Sequence, residues 1–146
     1  SIRKTAGALE GVAAKKDIHF DLELSDTEPL WVSGDKDKIQ QVLHNLMDNA
    51  VKFSHEGSSI LISTREKGNR VFVSVKDSGI GIPKDDLGKI FERFYKTDLS
   101  RGKDKLGTGL GLSICKEIIT AHKQNLDVVS TEGVGSEFVF TLTKET

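Results

Sequence analysis

The spacing of apolar residues changes period several times along this chain, and each change marks an element. Ile2, Ala6, Leu9 and Ala13 recur at turn-like intervals, so Ile2 to Lys16 is predicted to be helical. That pattern is already under way where the chain begins, which suggests a piece of something longer. From Asp17 to Leu24 the period drops to two: Ile18, Phe20, Leu22 and Leu24 alternate with Asp17, His19, Asp21 and Glu23. This is the signature of a half-buried strand. Trp31 and Val32 suggest a second, short strand, and Ser33-Gly34-Asp35 turns the chain.

The clearest helix follows. Asp35 or Asp37 can cap it, and Ile39, Val42, Leu43, Leu46, Met47 and Ala50 form one apolar stripe. Strands are predicted near Ser59–Arg65 and Arg70–Lys76, joined at Gly68-Asn69. Pro83 stands where a helix could start. The stretch from Lys96 to Lys105 is polar and reads as a loop. Another helix is expected from about Gly109 to His122, with Leu112, Cys115 and Ile119 on one side and Leu110, Ile114 and Ile118 beside them. Strands near Leu126–Ser130 and Ser136–Thr143 close the chain. Helices and strands do not alternate strictly, so a doubly wound parallel sheet is not expected. The order fits an α+β two-layer sandwich, with helices on one face of a mixed or antiparallel sheet.

Composition narrows this reading. The chain has 146 residues, enough for a single domain over residues 1–146. A domain of this size buries about two-thirds of the surface its unfolded chain exposes. No apolar run is long enough for a membrane span, and no signal peptide is evident. The net charge of −1 argues against a general nucleic-acid binder. Cys115 is the only cysteine, so no internal disulfide can form, which suits a reducing compartment.

Four segments carry the chemistry. Asn45, Asn49 and Lys52 lie at i, i+4 and i+7 on one side of the strong helix, beside its apolar stripe. An amide oxygen is a suitable hard ligand for Mg²⁺, and an ammonium one turn away can meet a phosphate oxygen. A solvated helix face would show the same residues. Asp77 ends the apolar strand Val71-Phe72-Val73-Ser74-Val75 and is followed by Gly79 and Gly81. A carboxylate only accepts hydrogen bonds and the adenine N6 amino group only donates, so an Asp at the floor of an apolar slot would select adenine over guanine. The two glycines would let backbone approach a flat base. A plain Asp-Ser-Gly turn is the competing reading. Gly107-Thr108-Gly109-Leu110-Gly111 stands directly before a helix, where free N–H groups form an anion site. It matches neither a Walker loop nor a dinucleotide fingerprint. Close helix packing would also explain Gly109 and Gly111. Between Tyr95 and Gly107, Lys96, Arg101, Lys103 and Lys105 could close over a triphosphate, or could belong to a solvated loop. Phe91 and Phe94 are expected to anchor the base of that loop, with Tyr95 against the nucleotide.

In this order the four segments resemble the asparagine, first glycine, phenylalanine and second glycine boxes of the catalytic and ATP-binding domain of sensor histidine kinases. The wider family is shared with gyrase, Hsp90 and MutL. The resemblance covers nearly the whole chain. It implies a Bergerat-type ATP-binding fold, with about five strands and three helices on one face, and ATP with Mg²⁺ as cofactors. Asn49 looks like the metal ligand, Asn45 like its support near the phosphates, and Lys52 like a phosphate contact. Asp77 looks like the adenine-selecting carboxylate, with Gly79, Gly81 and Ile82 lining the base. Phe91 resembles the lid hinge. Tyr95, Lys96, Arg101, Gly107, Thr108, Gly109, Leu110 and Gly111 fall at nucleotide-binding positions, residues 96–108 forming the lid. Ser136 resembles a residue that orders water near the adenine.

Hydrolases of this superfamily carry a glutamate four residues before the metal asparagine. Asn45 stands there instead and is no useful base near neutral pH. Asp48 lies about 100° around the helix from Asn49 and is discounted. Phosphoryl transfer is therefore favoured over efficient hydrolysis. The sequence departs from the family at Leu106, at Lys96 and at Ala121-His122-Lys123-Gln124-Asn125, where Asn125 is expected to supply the left-handed residue. The family's phosphoacceptor histidine belongs to a separate dimerising hairpin. His55-Glu56 lies in a glycine-containing turn without a following proline, and His19, His44 and His122 suit surface or capping roles. The acceptor is thus expected on another domain, with residues 1–16 as the helical connection from it. The resemblance further implies a downstream response regulator as partner and a monomeric isolated domain with no direct membrane contact. It also implies a cytoplasmic location, whether or not the full-length protein is membrane-anchored. A nucleotide-dependent binding module and a protein serine kinase of the same superfamily are the alternative readings.

Overall fold

The computed structural model describes residues 2–25, 32–93, 95 and 111–144. Helix α1 (Ile2–Ala14) is followed by strands β1 (His19–Glu23) and β2 (Val32–Ser33), then by helix α2 (Lys36–Phe53). Strands β3 (Ser59–Lys67) and β4 (Arg70–Asp77), helix α3 (Gly111–Ala121) and strands β5 (Leu126–Thr131) and β6 (Gly135–Lys144) complete the order. The strands form one sheet in the order β1-β3-β4-β6-β2, with β5 also paired to β6. Five strands have five residues or more, and β2 has only two.

Among the described strands, only β1 and β3 pair in parallel. A parallel pair needs a long crossover, and α2 lies in the connection between them. The antiparallel register of β4 and β6 sets Asp77 opposite Ser136, at the end of β4 where the chain turns into the glycine segment. Three helices cover one face of the sheet, as the sequence pattern implies. The stripe on α2 explains why: Val42, Leu46, Met47, Ala50 and Val51 are buried with Ile60, Ile62, Val75, Phe138 and Phe140 of the sheet and Ile119 of α3. Ile39 is the one member of the stripe that remains half-buried.

Helix termini carry most of the local information. Asp35, not Asp37, caps α2; its carboxylate accepts from the amides of Asp37 at 3.0 Å and Lys38 at 3.1 Å. Helix α3 ends with Lys123, not Asn125, in the left-handed conformation, at φ 59°. There the Gln124 amide donates to Ile119 O at 3.0 Å and the Lys123 amide to Thr120 O at 2.9 Å. This is a Schellman closure, and its geometry fixes the left-handed residue at that position regardless of side chain. Helix α1 ends the same way at Asp17, φ 54°. His122 does serve as a cap. Its Nε2 accepts from the Asp35 amide at 3.0 Å, and its Nδ1 donates to Ile118 O at 2.8 Å. No helix begins at Pro83. Residues 84–93 instead run through successive turns, with the Asp86 amide donating to Pro83 O and the Lys89 amide to Asp86 O, both at 2.9 Å.

Candidate functional site

The site is assembled where the C-terminal end of α2, the end of β4 and the β5–β6 hairpin converge. Asp77 is buried. One carboxylate oxygen, Oδ1, accepts from the Gly79 amide at 2.9 Å and from the Ser136 amide at 3.3 Å. The other, Oδ2, takes no donor among the described residues. Burial raises the Asp77 pKa above its ordinary value, and the two amides offset part of that rise. A buried acceptor with one oxygen unengaged is suited to a ligand that donates.

The segment after Asp77 is clamped from both sides. On the α2 side, the Ile80 amide donates to Phe53 O at 3.1 Å. On the hairpin side, the Gly133 amide donates to Ile80 O at 2.7 Å, and the Ile82 amide donates to Ser130 Oγ at 2.8 Å. These approaches are too close for side chains. A Cβ on Gly79 would stand 2.0 Å from Phe53 O, and one on Gly81 would stand 2.1 Å from Thr131 O. Gly81 also has φ 71°, a left-handed conformation that disfavours any other residue. The glycines are thus required by backbone packing around Asp77, whatever else they do for a base. Ser130 went unnoticed in the sequence. Its hydroxyl also donates to Gly135 O at 3.0 Å and pairs with Ser136 Oγ at 2.7 Å. Only the β5–β6 register, which sets Ser130 opposite Ser136, reveals this role.

The α2 face presents Asn45, Asn49 and Lys52, all half-buried. Burial pushes the pKa of the Cys115 thiol of α3 up to about 12, and the neighbouring Asn45 side chain offsets part of that rise. Cys115 is therefore a neutral thiol that donates to Val42 O at 3.8 Å. The Asn49 side chain has no hydrogen-bond partner among the described residues. A half-buried, unengaged carboxamide is a fitting single ligand for Mg²⁺, which ordinarily keeps waters and phosphate oxygens as its remaining ligands. No group of three His, Cys, Asp or Glu side chains among the described residues could hold a metal on its own. Lys52 pairs with Asp48 at 3.2 Å, so the discounted aspartate holds the ammonium in this structure.

Phe91 packs edge-on against Phe138, with ring centroids 6.3 Å apart, and the Lys116 ammonium lies 5.2 Å from the Phe91 centroid. Tyr95 is half-buried and its hydroxyl donates to the Asp86 carboxylate. Gly111 opens α3, and among the described residues nothing lies within 4 Å of where its Cβ would stand. The positions of Phe94, Lys96, Arg101, Lys103, Lys105, Leu106, Gly107, Thr108, Gly109 and Leu110 lie outside the described residues.

Residues 34–146 match the family described as histidine kinase-, DNA gyrase B- and HSP90-like ATPases, and the chain belongs to that family. Within it, the likeness is to sensor histidine kinases. The chain is 45% identical over 127 residues to the sensor histidine kinase WalK of Bacillus subtilis, covering 86% of this chain and 21% of that protein. It is 44% identical over 115 residues to the sensor protein SrrB of Staphylococcus aureus, covering 79% of this chain and 20% of that one. The chain thus spans about a fifth of the length of these relatives. Among solved structures, a nucleotide-free catalytic domain of the histidine kinase ThkA superposes with a TM-score of 0.84 at 37% identity, covering 98% of this chain and 90% of that one. Full-length ShkA in complex with AMPPNP superposes at 0.85 with 30% identity, covering 99% of this chain and 30% of that one. The chain therefore has the fold and family of an ATP-binding histidine kinase catalytic domain. No helix among the described residues is long and apolar enough to cross a membrane.

Proposed function

We propose that this chain binds Mg²⁺-ATP and presents its γ-phosphoryl group to a histidine on a separate dimerisation and phosphoacceptor domain. The observation that carries the reading is the half-engaged carboxylate of Asp77. Its Oδ1 is held by two backbone amides while Oδ2 is left for a donor. The adenine N6 amine is such a donor, and a guanine O6 is not. Asn49 is the metal ligand, Asn45 supports it, and Lys52 exchanges its Asp48 partner for a phosphate oxygen. A magnesium ion held by Asn49 would supply neutralisation of the charge that develops on the leaving group. The chain's own contribution is position: base and phosphates are fixed so that an incoming imidazole nitrogen lines up with the γ-phosphorus. The P–N bond forms as the bond to the β–γ bridging oxygen breaks, and ADP leaves. With Asn45 where hydrolases carry glutamate, no side chain at that position activates water.

Support for the partners comes from relatives. ThkA has been solved in complex with the response regulator TrrA, in a structure that superposes on this chain at a TM-score of 0.80 with 34% identity. By analogy, a response regulator would receive the phosphoryl group from the acceptor histidine, with α1 connecting to the acceptor domain. A cytoplasmic location follows from the same reading, since ATP and the regulator are found there. The test has two stages. Calorimetry should detect Mg²⁺-dependent ATP binding by this chain, and Asn49→Ala should remove the metal dependence. Labelled ATP should then transfer phosphate to a separately supplied acceptor domain bearing a histidine. Tight ATP binding with no transfer would refute the kinase reading, and acid-stable label would point to a hydroxyl acceptor instead.

A further inference from the structure

A helix leaves the carbonyls of its last turn without intrahelical partners, so each must be satisfied from outside. In α2 those partners come from two distant parts of the chain. Lys16, in the turn after α1, donates from Nζ to Val51 O at 2.9 Å and to Lys52 O at 3.1 Å. The next carbonyl, Phe53 O, takes the Ile80 amide at 3.1 Å. Three consecutive carbonyls at the end of one helix therefore join α1 on one side to the Asp77–Ile82 segment on the other. The same final turns carry Asn49 and Lys52. Lys16 itself is fixed at both ends. Its carbonyl accepts from the Gly57 amide at 3.1 Å, and its own amide donates to Ala13 O at 3.0 Å. It is half-buried, and its positive charge sits at the negative end of the α2 dipole.

We infer that Lys16 is a positioning residue for nucleotide binding, tying the end of α1 to the purine segment through the last turn of α2. This rests on the ATP-binding reading above. The physical argument is that Phe53 O lies only 2.0 Å from the ideal Cβ position of Gly79, so the last turn of α2 and the purine segment have no slack between them. If Lys16 lets go, Val51 and Lys52 carbonyls turn toward water and the last turn loosens. Phe53 O moves with it, and the Ile80 amide loses its acceptor. Asp77 is then held less firmly, because the same segment supplies the Gly79 amide to its Oδ1. Conversely, a displacement of α1 reaches the purine segment by the same route.

The test compares the whole 146-residue chain with Lys16→Met and Lys16→Arg, using Mg²⁺-ATP calorimetry and amide hydrogen exchange without nucleotide. Val71→Ala, in the core at the far end of β4, serves as a control for simple loss of stability. Lys16→Met should weaken Mg²⁺-ATP binding about tenfold, the scale of a typical coupling between sites. It should also accelerate exchange at the Ile80 amide. Lys16→Arg, which keeps charge and donors, should restore most of both. Val71→Ala should lower the melting temperature while leaving affinity at the wild-type value. Wild-type affinity in Lys16→Met, unchanged Ile80 exchange, or an equal loss of affinity in Val71→Ala would each overturn the inference. Should the wild-type chain itself fail to bind Mg²⁺-ATP, the functional reading falls, while the exchange measurement still decides whether Lys16 holds the purine segment.

Discussion

The two ends of the site are built from different materials. Around Asp77 the fixing groups are backbone: the amides of Gly79 and Ser136 hold the carboxylate, and the Ile80 amide and carbonyl are both engaged across element boundaries. Along α2 the groups are side chains that rest on neighbours they can leave, Asn45 on Cys115 and Lys52 on Asp48. Backbone groups are placed by the fold and cannot be reoriented without disturbing it. Side chains can exchange partners when a ligand arrives. On the proposed reading, purine selection would therefore be set before ligand binds, whereas phosphate and metal contacts would form on demand. Substitutions that displace backbone at the first end should disturb folding and binding together, and side-chain substitutions at the second should affect binding alone.

Gly79→Ala tests the first half most severely. Its Cβ would overlap Phe53 O, a backbone atom that can give way only if α2 or the purine segment moves. A loss of about 2 kcal/mol or more is expected. For a domain of this size that lowers the melting midpoint by roughly 5 °C. ATP binding should vanish with it. Normal melting with retained binding would show that the two elements are not rigidly joined.

Asp77→Asn separates recognition from folding at the same end. The amide oxygen can still accept from Gly79 and Ser136, but the NH₂ would then face the adenine amine, donor against donor. ATP affinity should fall about a hundredfold, as expected for a lost hydrogen bond to a charged group. Stability without nucleotide should hold or rise, because the substitution removes a buried carboxylate whose ionised form burial disfavours.

The pH dependence follows with a definite sign. The folded-state pKa of Asp77 is raised above its ordinary value of 3.8, so between those two values the native state binds the proton more tightly than the unfolded chain does. This group's contribution to stability is full below the ordinary value and is lost as pH rises through the folded one. Adenosine binding should run the opposite way over the same window, since only the carboxylate accepts at both oxygens. Thermal melts and adenosine titrations, free of phosphate ionisation, should show opposed slopes that both flatten in Asp77→Asn. Parallel slopes would mean that another group controls the purine end.

The sequence disclosed this asymmetry unevenly. The core stripe of α2 and the alternating strands were legible, because each depends on periodicity; the four boxes could be read from residue type at fixed spacing, though most of the second glycine box lies outside the described residues. The purine end was legible in its residues but not in its reasons. Gly79 and Gly81 read as room for a base, yet the structure shows them required by Phe53 O and Thr131 O. Those contacts arise from elements far apart in the chain, which no local pattern encodes. Ser130 and Lys16 escaped notice for the same reason: their partners lie 48 and 35 residues away. The turn after Pro83 shows the opposite limit. A proline favours a first helical turn, but residues 84–93 stop at successive four-residue turns, so the start signal was present without a helix to follow. The left-handed residue at the end of α3 was expected at Asn125 on side-chain preference. Hydrogen-bond closure places it at Lys123 instead.

The smallest expected effect falls on α2 and probes the second half of the comparison. Lys52 and Asp48 form an i, i+4 pair whose side chains are 38% and 29% exposed. Solvent screens such a pair, so losing it should cost no more than about 0.5 kcal/mol. Lys52→Met should therefore leave the melting curve nearly unmoved. If the ammonium exchanges Asp48 for a phosphate oxygen, ATP affinity should nevertheless drop severalfold at low salt. That deficit should shrink as salt is raised, because an exposed charge is screened beyond about 10 Å at 0.1 M ionic strength. Adenosine, which offers no phosphate, should bind both proteins alike. Asp48→Asn refines the same point in the other direction. Releasing Lys52 from its resting partner should tighten ATP binding slightly if the exchange is real. An unchanged or weaker affinity would mean that Asp48 positions the ammonium rather than competing for it.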